Sequence, residues 1–75
     1  MPLHHATIRQ LRGFEATART GSITAAAQEL GLTPSAVSLQ LKQIAELAGM
    51  ELIERGPEGF HPTEAGRELL HAADS

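Results

Sequence analysis

Ser35, Ser38, Leu39 and Lys42 recur at i, i+3, i+4 and i+7, so on a helix they share one face. Their chemistry suits the groove of a nucleic acid. Hydroxyls bond base edges or phosphates, and a lysine meets a phosphate as a point charge. An ordinary solvated helix carries mixed Glu and Lys. This face carries no charge but Lys42 until Glu46. Thr33 and Pro34 stand at its entrance. Thr33, Pro34 and Ser35 read either as a helix cap alone or as a cap that also touches DNA, since helix N-termini attract phosphate. Gln40 falls towards the flank of the face. Further on, Arg55 reads as a phosphate or minor-groove contact, or as a surface ion pair with Glu54 or Glu51. His61 is either a solvent-exposed strand residue or a weak phosphate contact.

Other chemistries find less support. No nucleophile, base and orienting group form a legible set, so no catalytic residue is assigned. Ser38 has no histidine beside it. His4 and His5 are adjacent, and His61 and His71 fall on separate segments. No histidine pair has the i, i+4 spacing of a helical metal site, so no metal ligand and no cofactor are expected in these residues. Cysteine is absent, which excludes disulfides and thiolate metal sites and suits a reducing cytoplasm. No apolar run approaches the roughly 20 residues that span a bilayer, and MPLHH does not open a signal peptide.

The elements that must position this face follow from caps and periodicity. Thr7 caps a first helix running to about Arg19, with Ile8, Leu11, Phe14 and Ala18 inward and Gly13 marking close packing. Thr20-Gly21 ends it. Ser22 caps a second helix whose inner face is Ile23, Ala26, Ala27 and Leu30, and Gly31 stops it. Ala25, Ala26 and Ala27 favour helix and also let a neighbour approach closely. Thr33 caps a third helix with Pro34 at its first position, Val37, Leu41, Ile44 and Ala48 inward, and an end at Gly49. Two helices joined through a short glycine-containing turn form a helix-turn-helix.

From Met50 the pattern turns extended. Met50, Leu52 and Ile53 lead through Glu54-Arg55 to Gly56-Pro57-Glu58-Gly59, and Phe60-His61-Pro62 returns, which reads as a β-hairpin. Thr63 caps a last helix with an apolar side of Ala65, Leu69, Leu70 and Ala72. The fold class expected is mainly α: a winged helix-turn-helix of three helices, a short β-hairpin wing and the start of a linker helix. Residues 1–62 form the DNA-binding domain and residues 63–75 begin the linker. A chain of 75 residues buries only roughly 60% of its unfolded surface, so modest stability is expected.

Charge opposes the nucleic-acid reading. The formal net charge is −3, whereas a nucleic-acid binder usually shows a basic footprint. Only the contacting face need be positive. The six basic residues are Arg9, Arg12, Arg19, Lys42, Arg55 and Arg67, while acids concentrate after Lys42. Non-specific DNA affinity weaker than that of a basic domain is expected.

These residues resemble a known family, the N-terminal DNA-binding domains of LysR-type transcriptional regulators. The matching residues are Leu11 and Phe14; Gly21-Ser22-Ile23 with Ala26-Ala27 and Leu30; Ala36-Val37-Ser38; and Gln40-Leu41-Lys42-Gln43. They continue with Leu52-Ile53-Glu54-Arg55 and Thr63-Glu64-Ala65-Gly66. The resemblance covers nearly all of residues 7 to 73. It implies sequence-specific binding to double-stranded DNA, with helix 34–48 in the major groove and the wing on the backbone. It also implies homodimers or higher homo-oligomers built through the linker helix, here Leu69 and Leu70. Two reading helices of such a dimer would lie about 34–36 Å apart, or a multiple of that, on one DNA face. A C-terminal domain that binds a small-molecule co-inducer follows in the family and has no counterpart in this sequence, which reads as a fragment of a longer regulator. Within the family, TIRQLRGFEA and AVSLQLKQI are most similar to regulators of carbon-fixation (RuBisCO) operons.

The chain departs from the family pattern at three places. Thr33-Pro34-Ser35 stands where Ser-Gln-Pro is common, which removes an amide able to bond adenine. Leu39 replaces a frequent arginine and offers apolar contact to a thymine methyl instead. The wing tip carries Glu58 rather than arginine or lysine, and Glu58 repels phosphate. The alternative function is a winged-helix interaction or dimerisation module, whose acidic surface docks a partner without specific DNA binding.

Overall fold

A computed structural model of the chain describes residues 8–74. The expected Thr7 cap and the His4–His5 pair lie outside them. Four helices and one hairpin follow in order: α1 Ile8–Thr20, α2 Ile23–Leu30, α3 Pro34–Ala48, β1 Ile53–Gly56, β2 Gly59–Pro62 and α4 Glu64–Asp74. This is the winged helix-turn-helix expected.

Local chemistry explains the boundaries. The Ser22 hydroxyl accepts the Ala25 N–H at 3.1 Å and the Thr33 hydroxyl accepts that of Ala36 at 3.1 Å. Each thereby satisfies an amide that has no partner inside its helix. α2 ends on Gly31 at φ 69°, where Leu32 N–H reaches the Ala27 carbonyl at 2.9 Å and Gly31 N–H that of Gln28 at 3.4 Å. That pair of reversed bonds needs a left-handed residue, which glycine supplies without a Cβ clash. α3 ends on Gly49, whose N–H reaches the carbonyls of Ala45 and Glu46.

The core is built from Phe14, Ala16, Ala26, Ala27, Val37, Leu41, Ile44, Ala48 and Leu52. Phe14, Ile44 and Val37 are among its largest fully buried side chains, each contributing about 1.5–3 kcal/mol of burial. The inner face of α3 is the one its periodicity predicts. α1 differs. Ile8 is 67% exposed and Ala18 only half-buried, while Ala16 and Thr17 are fully buried. The reason is that α2 and α3 both pack on α1, so its buried surface wraps further round than one stripe. Thr17 tolerates burial because its hydroxyl donates to the Gly13 carbonyl at 2.8 Å.

Two further contacts tie α1 to its neighbours. Gln10 Nε2 donates to Gln43 Oε1 of α3 at 3.0 Å. Arg19 bonds Glu15 at 3.0 Å within α1 and also Glu29 of α2. Hydrogen bonds to Glu29 and then Glu15 raise the Arg19 pKa above its already high ordinary value.

β1 and β2 pair antiparallel, with Glu54 opposite His61 and Arg55 opposite Phe60. Pro57 and Glu58 make the corner, Pro57 with its ring-fixed φ, and the positive φ falls on Gly59 at 122°. Phe60 N–H donates to the Gly21 carbonyl at 2.9 Å, fastening the hairpin to the α1–α2 turn. Thr63 caps α4, its hydroxyl accepting the Gly66 N–H at 3.1 Å and donating to the Glu51 carbonyl at 2.8 Å.

Candidate nucleic-acid interface

The buried stripe of Val37, Leu41, Ile44 and Ala48 determines what α3 shows to solvent. Ser35, Ser38, Leu39 and Lys42 are all exposed, as are Thr33 and Pro34 at its start. Leu39 is 54% exposed. Thr33 is occupied as a cap, yet it sits at the exposed N-terminus of α3, where free amides and the helix dipole favour an anion.

The hairpin completes this face on one side. Ser38, Leu41, Lys42 and Ala45 of α3 and Ile53 and Phe60 of the hairpin line one open groove of about 630 Å³. Strand residues alternate faces, and directly opposed residues share one. Arg55, opposite Phe60, therefore lies on the hairpin face that carries the groove-lining Ile53 and Phe60. Its guanidinium sits over the Phe60 ring, 5.6 Å from the centroid, a cation–π contact. This replaces the alternative of an ion pair with Glu54. The Glu54 carboxylate instead meets His61 Nε2 at 2.9 Å, across the hairpin and on its opposite face.

Two expected site residues stand apart from the face. His61 has Glu54 as its partner on the far side of the hairpin. Gln40 is half-buried and turned to α1, where its Oε1 is buried without a hydrogen-bond partner among the described residues. The physical reason is its angular position: one residue before Leu41, it falls on the flank where α1 crosses. Phe60 carries no site role in the sequence reading, although it forms the platform for Arg55. Its signal is the tight turn, which sets the Arg55–Phe60 register.

Leu69 and Leu70 are half-buried. Both pack against the core, and they line a shallow apolar groove with Ile8, Leu11 and Phe14 of α1. Part of the apolar side of α4 is thus spent within the chain. No helix among the described residues is long and apolar enough to cross a membrane.

Known proteins are similar to this chain in sequence and fold. Residues 8–67 match the family model of the bacterial regulatory helix-turn-helix protein, lysR family. The chain is 49% identical over 67 residues to the RuBisCO operon transcriptional regulator of Allochromatium vinosum, covering 89% of this chain and 22% of that protein. It is 44% identical over 70 residues to the HTH-type transcriptional regulator CbbR of Xanthobacter flavus, covering 93% and 21%. The chain thus spans about a fifth of the length of these curated relatives. Among solved structures, the crystal structure of the CbnR DBD–DNA complex superposes with a TM-score of 0.83 at 32% identity, covering 91% of this chain and 78% of that one.

Proposed function

The chain belongs to the lysR family of bacterial regulatory helix-turn-helix proteins, and from that membership we propose that it binds double-stranded DNA sequence-specifically as the reading domain of a transcriptional regulator. The carrying observation is the exposed face of α3, which holds Ser35, Ser38, Leu39 and Lys42, with Ser38 and Lys42 also lining the groove that Ile53 and Phe60 of the hairpin share. α3 enters the major groove by this face. Lys42, Arg55 and the N-terminus of α3 anchor it on phosphates. The reaction is recognition, not catalysis.

Other properties of the longer regulator belong to the same reading. Two copies join through α4 and place two α3 helices on one side of the DNA. A separate C-terminal domain takes a small-molecule co-inducer, and the regulator works in the cytoplasm. Similarity to RuBisCO operon regulators makes carbon-fixation operons the first target class to try.

One observation favours a second reading. The net charge is −3, and the hairpin exposes Glu54 and Glu58. A surface of that sign suits a basic protein partner better than a polyanion. Titration of duplex DNA at several salt concentrations separates the two. Selection of one sequence family from a random duplex pool, with affinity falling as salt rises, is the expected result. Absence of any enriched sequence at low salt refutes the DNA reading.

A further inference from the structure

The exposed N-terminal half of α3 has an unusual set of reading groups. Ser35 and Ser38 offer hydroxyls, which both donate and accept and so tolerate several base edges. Lys42 is a compact charge suited to phosphate. No exposed residue between Thr33 and Lys42 is an amide or a guanidinium, which leaves the face without a bidentate group for an adenine edge and with Lys42 alone for a guanine edge. Gln40, the amide in this segment, is turned towards α1. Leu39 lies between Ser35 one turn before and Lys42 one turn after, 54% exposed and outside the hydrophobic core and its packed neighbours. Its exposed surface is branched hydrocarbon in the middle of the reading face.

We propose that Leu39 reads a 5-methylpyrimidine in the major groove, and that its apolar contact with the C5 methyl is the main source of base discrimination by this face. This rests on the DNA-binding reading above. The C5 methyl is the one apolar group a base pair presents in the major groove, and thymine carries it while cytosine does not. The hydroxyls and Lys42 hold the helix in place, and Leu39 selects. A consequence follows for modified DNA. 5-Methylcytosine puts the same methyl at the same place, so cytosine methylation at the contacted position strengthens binding.

The test starts from the duplex selected by the 75-residue chain out of a random pool. Each thymidine is replaced singly by deoxyuridine, which removes the methyl and leaves base pairing intact. Deoxyuridine at the contacted position is expected to weaken binding about fourfold, the factor carried by burial of one carbon-sized apolar group. At that same position, 5-methylcytosine should bind about fourfold more tightly than cytosine. Leu39→Ala should abolish both differences, and Leu39→Met, which keeps an apolar contact, should retain them. An enriched sequence whose affinity is indifferent to deoxyuridine at every position overturns the proposal and leaves DNA binding standing. So does a deoxyuridine effect that persists in Leu39→Ala. A pool that yields no enriched sequence overturns both readings.

Discussion

Gln40 Oε1 lies against the backbone of Gly13: a Cβ placed on Gly13 would come within 2.4 Å of it, and within 3.2 Å of the Gln40 Cβ. The contact joins α1 to α3. It explains a glycine in mid-helix, where propensity alone disfavours one. It also withdraws Gln40 from the reading face.

Two effects therefore oppose each other in Gly13→Ala. Helix propensity gains up to about 1 kcal/mol, whereas overpacking typically costs about 1–3 kcal/mol. The amide end of Gln40 can swing away, but its stem cannot, so a net loss of about 1 kcal/mol is expected from the balance. In a Gln40→Ala background, which removes Oε1 and Cδ but keeps the Cβ at 3.2 Å, the same change should cost less, with propensity roughly offsetting the remaining contact. Denaturant unfolding of the two single variants and the double variant measures this. Strict additivity would show that the two side chains do not compete for the same space.

A sharper contrast is expected between Gly31 and Gly66. Gly31 has φ 69° with nothing within 4 Å of where an added Cβ would sit, so Gly31→Ala bears only left-handed strain, about 1 kcal/mol. Gly66 sits in α4, yet its Cβ would fall 1.9 Å from the Leu52 carbonyl oxygen. That oxygen accepts the Thr63 N–H at 3.1 Å, so backbone meets backbone and neither side yields cheaply. Gly66→Ala should cost about 3 kcal/mol or more. Thermal melts rank the two, and an equal cost for both would remove the close approach of α4 to Leu52.

Lys42→Ala should weaken binding to all duplexes alike and reduce the slope of log affinity against log salt by about 0.9, one phosphate contact. Lys42 is exposed and lies outside the core, so the fold should stay intact. The measurement is a salt titration against selected and unrelated duplexes. An unchanged slope removes Lys42 from the phosphate contacts.

Glu58 occupies the hairpin corner beside Pro57 and is exposed. Glu58→Lys should tighten binding to any sequence and steepen the salt slope by about one contact. Arg55→Ala, which strips the cation from the Phe60 ring, should shift the slope the other way. If neither change moves the slope, the hairpin does not approach the backbone and α3 binds alone.

Ser22, Thr33 and Thr63 as caps, Gly31 and Gly49 as stops, and the inner stripe of α3 were readable from the sequence alone. Each depends on neighbours within about one helical turn, so spacing and side-chain chemistry suffice. The reading face of Ser35, Ser38, Leu39 and Lys42 followed as the complement of that stripe. Tertiary structure alone decided the rest. Ala16 and Thr17 are buried in place of Ile8 because two helices, not one, cover α1. Gln40 faces Gly13 because of where α1 crosses α3. The hairpin is fastened to the α1–α2 turn because Phe60 N–H meets the Gly21 carbonyl across the fold. In each case the outcome depends on segments that meet only on folding, and the packing of whole elements brings them together.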